Sequence, residues 1–250
     1  NQILSINMIN TVFFDFYNTL VKFWPPLDQL QEAACSEFGL GVSEEGIRKG
    51  YSVADVYFNS ENARKPLALR SETERLEFFG IYEQMILENA GLPVSLDLAT
   101  KIWQMASSIP KDFMPFDDTI EALSELRSDG FKLGLISNLR RDMRDISERI
   151  GLGSLLDFYI TSADVGVEKP SPVIFKAALD SAAVSADQAI HVGDQHKSDV
   201  VGARNVGMHA ILIDREGWNS EIDDCLIINT LSDLRPLLQD GRSFSNVSDG

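Results

Sequence analysis

Short apolar runs that alternate with helical patterns narrow the fold of this chain more than any other feature. The runs lie at residues 12–14, 132–136, 158–160, 189–192 and 208–213. Helical patterns accompany the later runs at residues 119–127, 142–150, 172–182 and 199–206. Strands that alternate with helices through short connections predict an α/β fold, in which a doubly wound parallel sheet is covered by helices on both faces.

One segment interrupts this alternation. Residues 21–112 contain amphipathic helical patterns and no convincing strand. One such helical face is formed by Ile47, Tyr51, Ala54 and Phe58. We therefore expect an α/β core at residues 8–20 and 113–240, with a helical domain inserted at residues 21–112. Small polar residues fill positions 241–250 and predict a disordered tail.

The composition excludes several classes of partner. The formal net charge is -16 and the isoelectric point is about 4.5, whereas binding to nucleic acid or to an anionic membrane requires basic surface. The two cysteines, Cys35 and Cys225, lack metal-ligand spacing and do not form a disulfide framework. No apolar run approaches the length of a membrane span. We expect a cytoplasmic protein that acts on a small molecule, and nothing in the sequence specifies an oligomeric state.

Polar residues stand at or just past the ends of three predicted strands. They are Asp15, Ser137 and Asp194, and ligands of open α/β sheets bind beyond these carboxyl ends. The surrounding stretches are FFDFYNT at 13–19, ISN at 136–138, EKP at 168–170 and GDQHKSD at 193–199. In this order they resemble the motifs of the haloacid dehalogenase-like (HAD) hydrolases. The resemblance covers roughly residues 11–240.

The resemblance implies a nucleophile and a metal site. Asp15 would attack the substrate and form a covalent intermediate. A carboxylate that attacks an anionic phosphoryl group needs a divalent cation to offset the charge repulsion, and Mg²⁺ prefers such oxygen ligands. By resemblance, Asp15, the backbone carbonyl of Tyr17 and Asp194 are direct ligands of Mg²⁺, and Asp199 supports them.

The resemblance also implies a set of groups that bind the phosphoryl oxygens. Ser137 offers a hydroxyl and Asn138 an amide, while Lys169 supplies a compact positive charge for binding and catalysis. Thr19 would hydrogen-bond within the loop that follows the first strand, or cap that loop. The helical insertion would be a cap that closes over the site and excludes water, and the alternative is a helical subdomain that does not move.

Tyr17 departs from the commonest family pattern. Most phosphatases of the family carry a second Asp at this position, which protonates the leaving alcohol and later activates water. A phenol has a reference pKa of about 10 and matches neither task near neutral pH. His196, in the GDQHKSD loop, is an alternative acid or base because its reference pKa is about 6.5.

Tyr17 also raises the alternative of a metal-independent 2-haloacid dehalogenase. Family dehalogenases often carry a D-x-Y-G-T loop, because halide leaves without a proton. Against this alternative, they lack the GDxxxxD motif that is complete here. They also bind the substrate carboxylate with an Arg soon after the first loop, yet no Arg occurs between Val21 and Ile47. Asn18 replaces their usual Gly.

We interpret the sequence as a Mg²⁺-dependent hydrolase that acts on a small phosphorylated metabolite through an aspartyl-phosphate on Asp15. Two alternatives stay open at this point, the dehalogenase and a catalytically weak relative that binds or regulates.

Overall fold

A computed structural model describes residues 8–239 of the protein, so the predicted tail at residues 241–250 lies outside the described chain. The described chain divides into two compact units. One unit takes the residues up to Lys22 and those from Phe113 onward, and the other takes residues 23–112.

The described chain contains eight strands in two sheets. In chain order they are β1 (Thr11–Phe14), β2 (Val21–Trp24), β3 (Asp112–Pro115), β4 (Lys132–Ser137), β5 (Phe158–Thr161), β6 (Ala189–Gly193), β7 (His209–Ile213) and β8 (Leu226–Ile228). The larger sheet has six parallel strands in the order β5-β4-β1-β6-β7-β8. β2 and β3 pair in a separate two-stranded sheet.

β1 occupies the middle of the larger sheet, and its four residues are fully buried. Phe14 at its end lies in register with Leu135 of β4 and Val192 of β6. From β1 the strand order runs through β4 and β5 on one side, and through β6, β7 and β8 on the other. Such a reversal leaves a crevice at the carboxyl end of the central strand. The predicted α/β fold with a parallel sheet is confirmed.

Ten α-helices complete the described chain. They are α1 (Leu27–Ser36), α2 (Glu44–Arg64), α3 (Glu72–Asn89), α4 (Leu96–Ser108), α5 (Thr119–Ser128), α6 (Met143–Arg149), α7 (Ser162–Val165), α8 (Pro172–Ala182), α9 (Gly202–Arg204) and α10 (Leu234–Gln239). The pattern at residues 199–206 predicted one helix. The structure instead has a π-helix at His196–Val201 that leads into α9.

The unit of residues 23–112 has its own apolar core between α1, α2, α3 and α4. Its centre includes Ile47 and Ala54 of the predicted helical face, together with Ile86 and Ile102. α2 and α3 approach closely at Gly50, where a Cβ atom would overlap the Ile86 carbonyl oxygen. The amphipathic patterns therefore identified helices that bury one face against each other.

Three short strands were missed from the sequence. The segment 21–112 was expected to contain no strand, but β2 lies at its start and β3 begins at its end. β8 also had no recognised apolar run. Strands of three or four residues show too few alternations to be distinguished from a loop.

Among residues 8–239, no helix combines the length and apolar character that crossing a bilayer requires.

Candidate active site

Three neighbouring strands of the large sheet bring the predicted site residues to one edge. Asp15 follows β1 directly, Ser137 is the last residue of β4, and Asp194 follows β6. The backbone N–H of Asp15 donates to the Val192 carbonyl (2.9 Å), so the nucleophile candidate is held where the sheet ends. The predicted convergence of these residues thus follows from the strand order.

The loop after β1 turns tightly on backbone hydrogen bonds. Asn18 has a φ of 60°, in the left-handed region that Asn tolerates better than most residues. Its N–H donates to the Val21 carbonyl (2.8 Å), and the Leu20 N–H donates to the Phe16 carbonyl (2.9 Å). The Thr19 hydroxyl was expected to hydrogen-bond here. It is buried and has no hydrogen-bond partner among the described residues, because backbone groups already close the turn.

Arg215 fixes the same loop from a distant part of the chain. Its Nη2 donates to the Thr19 carbonyl oxygen (2.7 Å), and its guanidinium makes two further bonds of 3.1 Å to the Asp118 carboxylate. The guanidinium also lies 3.8 Å from the ring centroid of Phe116. Asp118 in turn accepts from the Thr230 hydroxyl. Neither Arg215 nor Asp118 was identified from the sequence, and only their position in space reveals their role.

Lys169 lies between the carboxylates of Asp15 and Asp199 and is 6% exposed. Its Nζ is 2.6 Å from both Asp15 Oδ1 and Asp199 Oδ1. Asn138 holds the Lys169 backbone, since Asn138 Oδ1 accepts from the Lys169 N–H (2.7 Å) and Asn138 Nδ2 donates to the Lys169 carbonyl (3.2 Å). The Asn138 amide therefore positions Lys169, whereas the sequence suggested a direct donor to substrate.

Asp199 is the most completely bonded carboxylate of the site. Besides Lys169, it accepts from the Gln195 N–H (3.0 Å), and its Oδ1 lies 2.9 Å from His191 Nε2. A Cβ atom at Gly193 would overlap the Asp199 carboxyl group, so only glycine fits before Asp194. His191 is a buried residue of β6, where a histidine would ordinarily serve only to pack. Its hydrogen bond to Asp199 gives it a positioning role that alternation along a strand does not reveal.

Burial and neighbouring charges shift the pKa values of Asp15, Asp194 and Asp199. Burial raises the pKa of Asp15 to about 6, although the Lys169 charge opposes the shift. Burial, together with the Asp15 and Asp199 carboxylates, raises the pKa of Asp194 well above its ordinary value. Burial alone would also raise the pKa of Asp199, but Lys169 and His191 outweigh it and hold this pKa below its usual range.

His191 is neutral, whereas Lys169 is positively charged. Burial lowers the pKa of His191, so the ring is neutral at physiological pH. Because Asp199 is ionised, Nε2 of His191 carries the proton and donates. Burial would lower the pKa of Lys169, but Asp15 and Asp199 raise it above its ordinary value and keep the ammonium charged.

The carboxylates of Asp15, Asp194 and Asp199 can hold a metal ion. Their ligand atoms all lie within 4.8 Å of one another. Three carboxylates share one ammonium, that of Lys169, and burial together with the neighbouring carboxylates raises the pKa values of Asp15 and Asp194. A divalent cation would relieve this repulsion, and carboxylate oxygens are the ligands that Mg²⁺ prefers. The residues present fit such an ion.

Tyr17 and His196 are the two candidates for proton transfer. The Tyr17 ring packs edge-on against Phe113, with centroids 6.5 Å apart. Its backbone forms a bridge with Val21. The His196 ring instead pairs with Asp224, at 2.7 Å between Nε2 and Oδ1. His196 thus has a carboxylate partner outside the cluster of Asp15, Asp194 and Asp199.

Comparison with known proteins gives a consistent family assignment. The sequence model described as haloacid dehalogenase-like hydrolase matches residues 12–213. The chain is 29% identical over 240 residues to haloacid dehalogenase-like hydrolase domain-containing protein 3 of Mus musculus, covering 90% of this chain and 92% of that protein. It is 34% identical over 132 residues to a glyceraldehyde 3-phosphate phosphatase of Methanothermobacter thermautotrophicus, covering 50% of this chain and 58% of that protein.

Solved structures related to this chain include both reaction classes. A HAD phosphatase from Thermococcus onnurineus is 25% identical with a TM-score of 0.56, and the match covers 92% of this chain and 98% of that one. A 2-haloacid dehalogenase from Pseudomonas syringae is 26% identical with a TM-score of 0.53, and the match covers 93% and 99% of the two chains.

Proposed function

Because this chain belongs to the haloacid dehalogenase-like hydrolase family, we propose that it hydrolyses a small phosphorylated metabolite with Mg²⁺ through an aspartyl-phosphate on Asp15. The observation that carries this proposal is the cluster of Asp15, Asp194 and Asp199 beside Lys169. A nucleophilic carboxylate next to two more carboxylates suits a reaction at phosphorus, where a cation must offset the negative charge. The phosphatase relative from Methanothermobacter thermautotrophicus supports the same class of substrate.

The metal ligands in this proposal are the carboxylates of Asp15 and Asp194 and the backbone carbonyl of Tyr17. Mg²⁺, when bound there, supplies charge neutralisation and orients the phosphoryl group. Asp199 supports these ligands indirectly, because Lys169, His191 and the Gln195 N–H already occupy its oxygens. Its bond to Lys169 sets the position of the ammonium beside Asp15.

Asp15 is the nucleophile in this proposal. With a pKa of about 6, its carboxylate is ionised at neutral pH. The Lys169 ammonium, 2.6 Å from Asp15 Oδ1, holds the side chain in one orientation and leaves the second carboxylate oxygen for the attack. Attack on phosphorus forms a bond to the Asp15 carboxylate oxygen and breaks the P–O bond of the ester. The electron pair of that bond leaves with the ester oxygen, which takes a proton from solvent to become the alcohol. Water then cleaves the aspartyl-phosphate and releases inorganic phosphate.

The phosphoryl oxygens would meet Ser137, Lys169 and backbone N–H groups. The Ser137 oxygen accepts from the Leu139 N–H (3.2 Å), which leaves the hydroxyl proton for a substrate oxygen. Asn138 contributes by fixing the backbone of Lys169 from both sides. The buried Thr19 hydroxyl, without a partner among the described residues, is a further donor on the loop that carries Asp15.

Residues 23–112 form the cap in this proposal, and side chains of this helical unit would select the metabolite. The thiols of Cys35 and Cys225 are both free, which suits a cytoplasmic enzyme. The acidic net charge of -16 argues for a small-molecule substrate rather than nucleic acid.

Tyr17 favours one alternative, hydrolysis of a 2-haloacid without a metal. The structural neighbour from Pseudomonas syringae, at 26% identity, is a 2-haloacid dehalogenase and supports this alternative. Two observations disfavour it here. The three-carboxylate cluster would be electrostatically costly without a cation, and no Arg lies between Val21 and Ile47 to bind a substrate carboxylate.

A substrate panel separates these possibilities. Phosphate esters and 2-haloacids are each incubated with the full chain, once with Mg²⁺ and once with excess chelator. We expect phosphate release that needs Mg²⁺ and no halide release. Halide release that persists with chelator would contradict the proposal and show that the protein is a metal-independent dehalogenase. If the protein binds phosphate esters but turns over none of the compounds, it is better explained as a catalytically weak member of the family that binds or regulates.

A further inference from the structure

A second group of metal-binding side chains lies in the α/β unit, outside the carboxylate cluster. His196, Asp224 and Cys225 place an imidazole nitrogen, a carboxylate oxygen and a thiol sulfur within 4.8 Å of one another. His196 begins the π-helix after β6, and the other two precede β8. The side chains of His196 and Asp224 are 28% and 52% exposed, so an ion in solution can reach them.

The donor set selects a soft or borderline ion. Thiolate and imidazole prefer Zn²⁺ and similar transition metals, whereas Mg²⁺ takes oxygen ligands alone. In tetrahedral sites with bonds of about 2.0 to 2.3 Å, neighbouring ligand atoms lie about 3.3 to 3.8 Å apart. The three donor atoms lie within 4.8 Å of one another, with His196 Nε2 and Asp224 Oδ1 2.7 Å apart, so these two side chains must separate slightly to bind one ion. A fourth position would be left for water.

The surroundings permit a cation. The Asp224 Oδ1 faces His196 at 2.7 Å. Arg204 lies on the other side of this carboxylate, with Nη1 4.0 Å from Oδ2. Its main bond is to the Asp224 backbone carbonyl (2.8 Å). The guanidinium thus fixes the backbone of Asp224 without occupying the oxygen that faces the histidine.

We propose that His196, Asp224 and Cys225 form a site for a thiophilic divalent ion such as Zn²⁺. An ion there would link the segment after β6, which carries Asp194 and continues into the π-helix that contains Asp199, to the segment before β8. The Cys225 thiol would lose its proton to solvent as the sulfur binds the metal. The site would take this ion whether or not the carboxylate cluster binds Mg²⁺.

Co²⁺ provides a direct probe of the site, because a cobalt-thiolate bond gives a charge-transfer band in the near ultraviolet and a hard oxygen site does not. Reduced full-length protein is saturated with Mg²⁺ and then titrated with Co²⁺. We expect the band to saturate at one equivalent and to disappear when Zn²⁺ is added. Asp194→Asn should retain the band, since this variant alters only the oxygen cluster.

Two cysteine variants decide which sulfur binds. Cys225→Ser should lose the band, whereas Cys35→Ser, which alters the buried free thiol of the helical unit, should keep it. His196→Gln and Asp224→Asn should each weaken Co²⁺ binding, and circular dichroism verifies that all variants are folded. Absence of the band in the wild type would overturn the proposal, as would a full band in folded Cys225→Ser.

Discussion

Tyr17 is the residue that most affects the proposed chemistry, because it replaces a carboxylic acid two positions after Asp15. A site without an efficient general acid should act best on substrates whose leaving group departs unprotonated. Tyr17→Asp should therefore raise the rate on alkyl phosphates more than on p-nitrophenyl phosphate. A positioned general acid typically raises the rate by about 10² to 10⁴-fold. The change in kcat/KM for alkyl phosphates, divided by the change for p-nitrophenyl phosphate, measures how much of this acid catalysis the substitution restores.

The control for this comparison is the metal affinity of Tyr17→Asp. The proposed Tyr17 ligand is a backbone carbonyl, so Mg²⁺ affinity should stay near that of the wild type. Equal rate gains on both substrates at unchanged affinity would show that another group already supplies the proton, and His196 would be tested next.

Asp194 tests the metal site at the same scale. Asp194→Asn removes one negative charge from a cluster of three carboxylates, so calorimetry should show loss of Mg²⁺ binding together with loss of phosphatase activity. Since burial and neighbouring carboxylates raise the pKa of Asp194, wild-type Mg²⁺ affinity should increase with pH as protons leave the cluster. Asp180→Asn, at an exposed position of α8, is the matched control and should bind Mg²⁺ normally. Normal activity of Asp194→Asn would remove this residue from the metal site.

At the scale of elements, Arg215 joins the loop after β1 to the start of α5. Its partners, Thr19 and Asp118, are distant in sequence, and both side chains of the ion pair are largely buried at 12% and 15% exposure. Arg215→Ala leaves the Asp118 carboxylate without this partner and should lower the free energy of unfolding by about 3 kcal/mol. Urea titration monitored by circular dichroism measures the loss.

Arg235 offers a matched control for Arg215. It also pairs with two carboxylates, Asp129 and Glu125, but in a more exposed place. Arg235→Ala should destabilise the protein far less, because exposed ion pairs contribute little. Equal losses in the two variants would mean that burial of the Arg215 pair has no special effect.

The elements differ in how well the sequence predicted them. β1, β4 and β6 were recognised because buried parallel strands form continuous apolar runs between turn residues. The π-helix at His196–Val201 was not, since its residues also fit the periodicity of an α-helix. The bond from Arg215 to Thr19 joins residues 196 positions apart, and no local pattern reports such a pair.

At the scale of the whole molecule, the helical unit contains a buried acid outside the proposed chemistry. Glu83 of α3 is 1% exposed, and its Oε2 accepts from Gln31 Nε2 of α1 (2.9 Å). Burial raises the pKa of Glu83 from 4.5 to about 7, although the Gln31 bond opposes the shift. The folded state therefore holds this proton more tightly than the unfolded state, and stability falls as pH rises from about 4.5 to about 7.

Glu83→Gln should remove this dependence on pH. Between about pH 5 and pH 8, the wild type should lose up to about 3 kcal/mol of unfolding free energy relative to the variant, because the ionised carboxylate becomes costly to bury. Urea titrations at the two pH values measure the difference. Glu32→Gln, at an exposed position of α1, should behave as the wild type. A Glu83→Gln profile parallel to the wild-type profile would contradict the raised pKa.

The sequence identified most of the candidate site residues, but it did not predict the hydrogen bonds between them. Asp15, Ser137, Lys169, Asp194 and Asp199 were all selected from motifs, and the strand order brings their segments to one sheet edge. The motifs could not show that the Asn138 amide holds the Lys169 backbone. They also could not show that His191 bonds Asp199. These contacts depend on side-chain directions that only the folded chain fixes.

The most direct test of the central claim is to detect the covalent intermediate. Protein is mixed with an active phosphate ester, quenched in acid within one turnover and analysed by peptide mass spectrometry. We expect a phosphoryl group on Asp15 when Mg²⁺ is present and no adduct with chelator. Folded Asp15→Asn should form no adduct, and its turnover should fall by about 10⁴-fold or more. Phosphate release by Asp15→Asn at the wild-type rate would contradict the claim, as would a carbon ester formed on Asp15 from a 2-haloacid without metal.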